Sequence, residues 1–230
     1  MERKDQLWAN GPHFYYDTAL FPPTTDSFAL GYFAHPRRGG AVCDLGSGVG
    51  LLGALLLSRE PSLHVVNVEQ NADALVLAER TFAENGWAAE HRLGDLRDAA
   101  VLPAAGSMDY CVCNPPYFRS GSGKSAEGEA RQNAREEAQS TLAEVCTAAG
   151  RVLRWGGGFA VVYRPERLVD LFYELRAHGM EPKRLRFVAQ RADAAPSLVL
   201  VEARRGGKPA LVIEPPLVVG SAEWDKLYFK

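Results

Sequence analysis

Three short stretches of this 230-residue chain carry residue types and spacings suited to chemistry. One is Asn114-Pro115-Pro116-Tyr117-Phe118, which follows the apolar run Met108-Asp109-Tyr110-Cys111-Val112-Cys113. Such a run reads as a buried strand, so the motif leaves the sheet at the strand's C-terminal end, where α/β sheets bind ligands. Two consecutive prolines fix the exiting backbone. They make the Asn114 amide oxygen and the Pro115 carbonyl rigid acceptors, and Tyr117 offers a flat face for a planar group. Pro116 and Phe118 fall within reach of the same substrate. This suits an exocyclic amino or amide nitrogen whose lone pair is delocalised. Two acceptors can take its two N–H hydrogens and aim the lone pair at a methyl sulfonium. Asparagine is not a general base, so the catalysis read from the motif is orientation and electrostatics. Asn114, Pro115 and Tyr117 are therefore the candidate catalytic residues.

The other two stretches bear on a cofactor. Asp44-Leu45-Gly46-Ser47-Gly48-Val49-Gly50 joins the strand Ala41-Val42-Cys43-Asp44-Leu45 to a helix predicted from Leu51 to Arg59. Gly46, Gly48 and Gly50 permit positive φ and close approach of a ligand to the backbone. Read as G-x-G-x-G, the turn suits S-adenosylmethionine (SAM). Read as Gly48-x-Gly50-x-x-Gly53, it suits a dinucleotide. Glu69 ends the next strand, His64-Val65-Val66-Asn67-Val68-Glu69, and a carboxylate there can hold ribose hydroxyls of either. The turn and Glu69 alone define a site for an adenosine-containing cofactor, and the Asn114 motif turns the reading toward SAM.

The elements that position these residues follow from pattern. Thr25-Asp26 caps a helix over Ser27–Phe33, and Asn71 caps one that ends near Asn85-Gly86. A strand is predicted around Glu90–Leu93, a helix over 136–154, a strand over Phe159–Tyr163 and a helix from Pro165 to His178. Two final strands, Arg184–Gln190 and Ser197–Ala203, have no helix between them and read as an antiparallel hairpin. Alternating strands and helices give an α/β, Rossmann-like, doubly wound and mostly parallel sheet. Residues 1–25 read as an N-terminal segment packed on the core, 26–208 as the catalytic domain and 209–230 as a C-terminal tail. The small, polar stretch 119–135 reads as a lid over the substrate.

Composition narrows the class. No run of about 18 apolar residues suggests a membrane span, and no apolar signal core follows Met1, so a cytoplasmic protein is expected. Cys43, Cys111, Cys113 and Cys146 form no C-x-x-C pair and read as buried free thiols, and the scattered histidines suggest no metal site. The net charge of −2 conceals an asymmetry. Residues 1–150 hold 12 Lys+Arg against 19 Asp+Glu, and residues 151–208 hold 12 against 6. The basic segment contributes Arg164, Arg167, Lys183, Arg184, Arg186, Arg191, Arg204, Arg205 and Lys208. Sharing a face with Lys124, Arg131 and Arg135, these would form a phosphate-binding surface for RNA.

Taken together, Asp44 to Gly50, Glu69 and Asn114 to Tyr117 resemble class I SAM-dependent methyltransferases that act on planar nitrogens. The chain more closely resembles the bacterial tRNA(Val) adenine-N6 methyltransferase family. Thr24-Thr25-Asp26-Ser27, Ala134-Arg135-Glu136-Glu137, Tyr163-Arg164-Pro165-Glu166-Arg167-Leu168 and Pro182-Lys183-Arg184-Leu185-Arg186-Phe187 extend the resemblance. It implies a seven-stranded sheet, SAM as methyl donor and methylation of an adenine N6 in a tRNA anticodon loop. It implies that Glu69 holds the ribose and Gly46–Gly50 the methionine part. Thr25 and Asp26 would close the amino-acid end, and Asp95 would face the cofactor's adenine. Asp44, Gln70, Leu96 and Asn114 complete the expected cofactor contacts, and Lys124, Arg131, Arg135, Arg164, Lys183 and Arg184 the RNA contacts. Family members commonly carry Ala-Arg-His-Glu where this chain has Ala134-Arg135-Glu136-Glu137. A glutamine N-methyltransferase acting on a release factor shares Asn-Pro-Pro-Tyr but usually has a long helical domain before its glycine turn. An rRNA guanine N2 methyltransferase and a non-catalytic RNA-binding subunit are further alternatives.

Overall fold

The computed structural model describes residues 1–18, 22–115 and 141–228. The expected lid, and with it Pro116, Tyr117, Phe118, Lys124, Arg131 and Arg135, lies outside the described residues.

The core is an eight-stranded sheet in the order β10-β8-β9-β7-β6-β3-β4-β5. Its strands are β3 (Ala41–Leu45), β4 (His64–Glu69), β5 (Ala89–Leu93), β6 (Met108–Cys113), β7 (Leu153–Tyr163), β8 (Met180–Ala189), β9 (Leu198–Arg205) and β10 (Val212–Val218). The apolar runs of β3 and β6 lie side by side and parallel, with Val42 opposite Tyr110 and Asp44 opposite Val112. They are buried on both faces, as parallel central strands require. The strand order reverses between β3 and β6, which opens a crevice at their C-terminal ends.

Helices cover both faces. They are α1 (Thr25–Phe33), α2 (Leu51–Arg59), α3 (Ala72–Glu84), α4 (Leu142–Val152), α5 (Leu168–Ala177) and the short α6 (Ala222–Tyr228). The caps are local sequence chemistry. The Asn71 side chain accepts from Ala74 N at 3.1 Å at the start of α3. Thr141 and Glu144 form a reciprocal capping box at the start of α4, with Thr141 N donating to Glu144 Oε2 at 2.7 Å. Arg59, in the last turn of α2, donates to the carbonyls of Gly31, Tyr32 and Ala34 at 2.7, 2.8 and 2.6 Å. That ties the C-terminal end of α1 to α2.

The antiparallel pairing of β8 with β9 realises the expected hairpin. The eighth strand corrects both the count of seven and the reading of 209–230 as a tail. Val212–Val218 pairs parallel to β8 as an edge strand, with a register shift between Glu214 and Leu217. Pro215 and Pro216 fall in that shift, where their missing N–H groups cost no ladder bond. The glycine run also belongs to a strand, because β7 begins at Leu153 rather than Phe159. A Cβ on Gly158 would lie 2.5 Å from the Tyr110 ring, so glycine lets β7 close on β6.

The N-terminal segment forms its own antiparallel pair, β1 (Glu2–Gln6) with β2 (His13–Asp17). Ion pairs Lys4–Glu84 and Glu2–Arg80 join it to α3 at 2.7 and 2.8 Å. Such exposed pairs contribute little, and the buried Phe14 ring is the stronger anchor. All four cysteines are free and buried. Burial pushes the Cys111 and Cys113 thiols up and the Cys146 thiol to about 12, so none is poised as a nucleophile. Among the described residues, no helix is long and apolar enough to cross a membrane.

Candidate active site

A cavity of about 430 Å³ opens at the crevice, within the range of small-molecule sites. Of the predicted residues, Asp26, Gly46, Gly48, Glu69, Gln70, Leu96, Asn114, Pro115 and Arg164 line it. The three sequence stretches thus converge through three strand ends: β3 delivers the glycine turn, β4 delivers Glu69 and β6 delivers Asn114.

The turn is held by the sheet beneath it. Gly46 N and Ser47 N both donate to Val68 O, at 2.9 and 3.1 Å. Glu69 is fixed from two sides, with Gly48 N donating to Oε2 at 2.8 Å and Asn71 N donating to Oε1 at 2.8 Å. Each carboxylate oxygen can accept more than one hydrogen bond, so this anchoring is compatible with further donors from a ribose. Gly46 has φ +70, a conformation that disfavours any Cβ, and Gly50 has φ +78 and would also bring a Cβ to 2.9 Å from Ala78 Cβ. Replacing Glu69 by glutamine is expected to put an amide NH₂ against one backbone N–H. That costs about 1–3 kcal/mol of stability and weakens cofactor binding at least tenfold, measurable by thermal unfolding and titration calorimetry. Unchanged affinity would remove Glu69 from the cofactor site.

Asp44 lies beneath the wall rather than in it. It is fully buried, and neither carboxylate oxygen is in a well-formed hydrogen bond, although the Gly53 N–H lies close enough to act on it. Burial, reinforced by the nearby negative charge of Glu69, pushes its pKa to about 7; the Gly53 N–H acts in the opposite direction but only partly offsets this. Ser47 Oγ is likewise buried without a partner. Unsatisfied acceptors at the foot of a cavity fit a cationic ligand bearing N–H donors.

Asn114 stands at the end of β6 and donates from Nδ2 to Ser27 Oγ at 3.0 Å. Ser27, in the first turn of α1, also lines the cavity, as does Thr24. Neither was among the residues expected from sequence, and Thr25, which was, is not part of the wall. The signal for Ser27 was weak, a small polar residue beside a helix cap.

Two groups of expected contacts already have partners within the chain. Asp95 was expected to face the cofactor's adenine, but its carboxylate is gripped by Arg97, with Arg97 Nε at 3.0 and 2.9 Å from its two oxygens. This pairing holds the Asp95 carboxyl below the usual range, and the neighbours Gly94 and Leu96 line the cavity instead. Arg184 was expected to contact RNA. It pairs with Glu202 at 3.0 Å and Glu214 at 2.7 Å, and its guanidinium lies 4.3 Å from the Phe33 ring centroid. Glu202 in turn accepts from the buried Tyr110 hydroxyl at 2.5 Å, so Arg184 serves an internal network joining β6, β8, β9 and β10. Arg186 is committed to Glu223 at 2.7 Å. Lys183 donates to Lys208 O at 3.0 Å.

The basic segment does not form a single face. β9 runs antiparallel to β7, and its register sets Arg204 opposite Gly158 while Tyr163 faces Val199. Arg204, Arg205 and Lys208 therefore lie at the end of the sheet remote from the cavity. Arg164, Arg167 and Arg191 lie at the cavity end, and Arg164 donates to Ser197 O at 3.3 Å. Among the described residues, no group of three or more His, Cys, Asp or Glu could hold a metal ion.

Residues 28–169 match the methyltransferase small domain. The chain belongs to the methyltransferase small domain family. It is a SAM-dependent methyltransferase, and the unsatisfied Asp44 and Ser47 oxygens, the positive-φ glycine turn and the anchored Glu69 fit that cofactor. This methyltransferase is similar to a tRNA1(Val) (adenine(37)-N6)-methyltransferase of Tolumonas auensis, 29% identical over 217 residues, covering 94% of this chain and 88% of that one. It is also similar to a protein of that name from Shewanella frigidimarina, 25% identical over 197 residues, covering 83% of this chain and 74% of that one. Among solved structures, a predicted O-methyltransferase from Agrobacterium tumefaciens matches with a TM-score of 0.72 at 16% identity, covering 88% of this chain and 95% of that one. That likeness extends the fold assignment and carries no substrate.

Proposed function

We propose that this methyltransferase modifies an exocyclic amino group of RNA in the cytoplasm, most specifically the N6 of an adenine in the anticodon loop of tRNA1(Val). The observation that carries the reading is Asn114-Pro115 at the C-terminal end of β6, lining the same cavity as the glycine turn and Glu69. The names of the two relatives support the substrate class.

Bound SAM supplies an electrophilic methyl group on a cationic sulfur. The chain supplies position. With Asn114 Nδ2 donating to Ser27, the amide carbonyl is the end turned away from Ser27. The Asn114 and Pro115 carbonyls accept the two amino hydrogens and set the nitrogen lone pair in line, while Tyr117 and Phe118 stack on the base. No side chain takes the proton first. It departs once the nitrogen has become cationic, when its acidity is high. Arg164, Arg167 and Arg191 at the cavity end, together with Lys124, Arg131 and Arg135, supply positive charge for the phosphates, with Arg167 also paired to Asp170 and Arg191 to Asp193.

Incubation with methyl-labelled SAM and a total bacterial extract tests the substrate class. Label is expected in the small-RNA fraction, and ribonuclease is expected to abolish it. Label that resists ribonuclease and follows a release factor would move the reading to glutamine methylation.

A further inference from the structure

We propose that Ser27 is a positioning residue for Asn114, holding the Asn114 side chain so that its carbonyl end faces the substrate. The inference rests on the methyl-transfer reading above and concerns a residue 87 positions away in sequence. Asn114 Nδ2 donates to Ser27 Oγ at 3.0 Å. Ser27 is 8% exposed and Asn114 is half-buried, so water competes little for the Ser27 hydroxyl.

The chemistry makes the amide's orientation decisive. An asparagine side chain is nearly symmetric in shape, and a half-turn about its last bond exchanges carbonyl for NH₂. Only the carbonyl can accept from an amino substrate, because an NH₂ in its place sets donor against donor. An acceptor placed beside Nδ2 favours one orientation over the other. The Ser27 hydroxyl can accept or donate; here it accepts from Asn114 Nδ2 at 3.0 Å and from Thr24 Oγ1 at 3.5 Å, which holds the amide with its NH₂ end toward α1.

Ser27 is also carried on a rigid support. The α1 residues Ala29, Leu30 and Phe33 are buried. The last α1 carbonyls are clamped by Arg59, and Phe28 N donates to Thr24 O at 3.2 Å at the helix start. A packed helix thus sets the direction of a side chain at the end of a strand, which is how a site is preorganised before substrate arrives.

A double-mutant cycle tests the inference. Ser27→Ala is expected to lower kcat about tenfold, the scale of one buried hydrogen bond, with the KM for SAM unchanged. In an Asn114→Ala background the same substitution is expected to change nothing, because its effect passes through the amide. A further tenfold loss in that background overturns the inference, and so does a rise in the KM for SAM that matches the loss of rate. A readout independent of substrate separates this from the functional reading. In ¹⁵N-labelled protein with SAM, the Asn114 side-chain NH₂ resonances are expected to shift and exchange faster with water in Ser27→Ala. Unchanged NH₂ resonances refute the positioning role, whereas wild-type protein that methylates no RNA refutes only the substrate assignment.

Discussion

Asn114→Ala is expected to reduce methyl transfer about a hundredfold while SAM affinity stays within a factor of about two. The loss is that of a preorganised polar group aimed at charge that develops in the transition state, typically worth about 10²–10³ in rate. The affinity holds because the described cofactor features come from other strands. Glu69 is anchored by Gly48 N and Asn71 N, and the turn by Val68 O. Separate measurement of kcat on tRNA and of SAM binding by calorimetry checks the split. A variant that turns over like wild type removes Asn114 from the mechanism. One that loses SAM binding in proportion to rate makes it a cofactor ligand instead.

The second large effect concerns Asp44. In the folded protein without ligand its pKa is about 7, against an ordinary value of 3.8. Between about pH 4 and pH 7 the unfolded carboxylate has released its proton while the folded one keeps it. Stability from this group therefore falls as pH rises through that window and levels off above 7. A shift of three units corresponds to about 4 kcal/mol at most. Asp44→Asn removes the penalty, and its amide brings donors beside the paired Asn67, whose Oδ1 is also buried without a partner. The variant is expected to melt several degrees higher than wild type at pH 8 and to match it only near pH 4 and below. It is expected to bind cationic SAM at least tenfold more weakly, because the ionised carboxylate is what complements the ligand. For wild type, SAM should raise Tm more at pH 8 than at pH 6. Parallel Tm curves for the two proteins from pH 5 to 8 would show that Asp44 carries no such penalty.

How much of this was legible in sequence depends on whether a residue's role is local. The glycine turn, Glu69 and Asn114-Pro115 sit at strand ends marked by glycine or proline, so their convergence followed once the strands were recognised. The cap at Asn71 is equally local, whereas the Thr141 cap went unread because the helix was expected to start near residue 136. Ser27 is not, because its meaning comes from a partner on another element. The surroundings of Arg184 were illegible for a related reason. A charge count carries no direction, and only the pairing of β8 with β9 and β10 shows that its neighbours are Glu202 and Glu214. β10 was hidden by Pro215-Pro216, which argue against a strand unless it is an edge with a bulge. β1, Glu-Arg-Lys-Asp-Gln, is exposed along its length and offers no apolar alternation to detect.

An adenine amino group is the substrate proposed for the cavity at the ends of β3, β4 and β6. Nucleoside analysis of tRNA from cells lacking this enzyme, incubated with the purified protein and SAM, tests it directly. The expected product is N6-methyladenosine, formed by wild type and nearly absent with Asn114→Ala. Formation of N2-methylguanosine, or of no modified nucleoside while a protein glutamine becomes methylated, would contradict it.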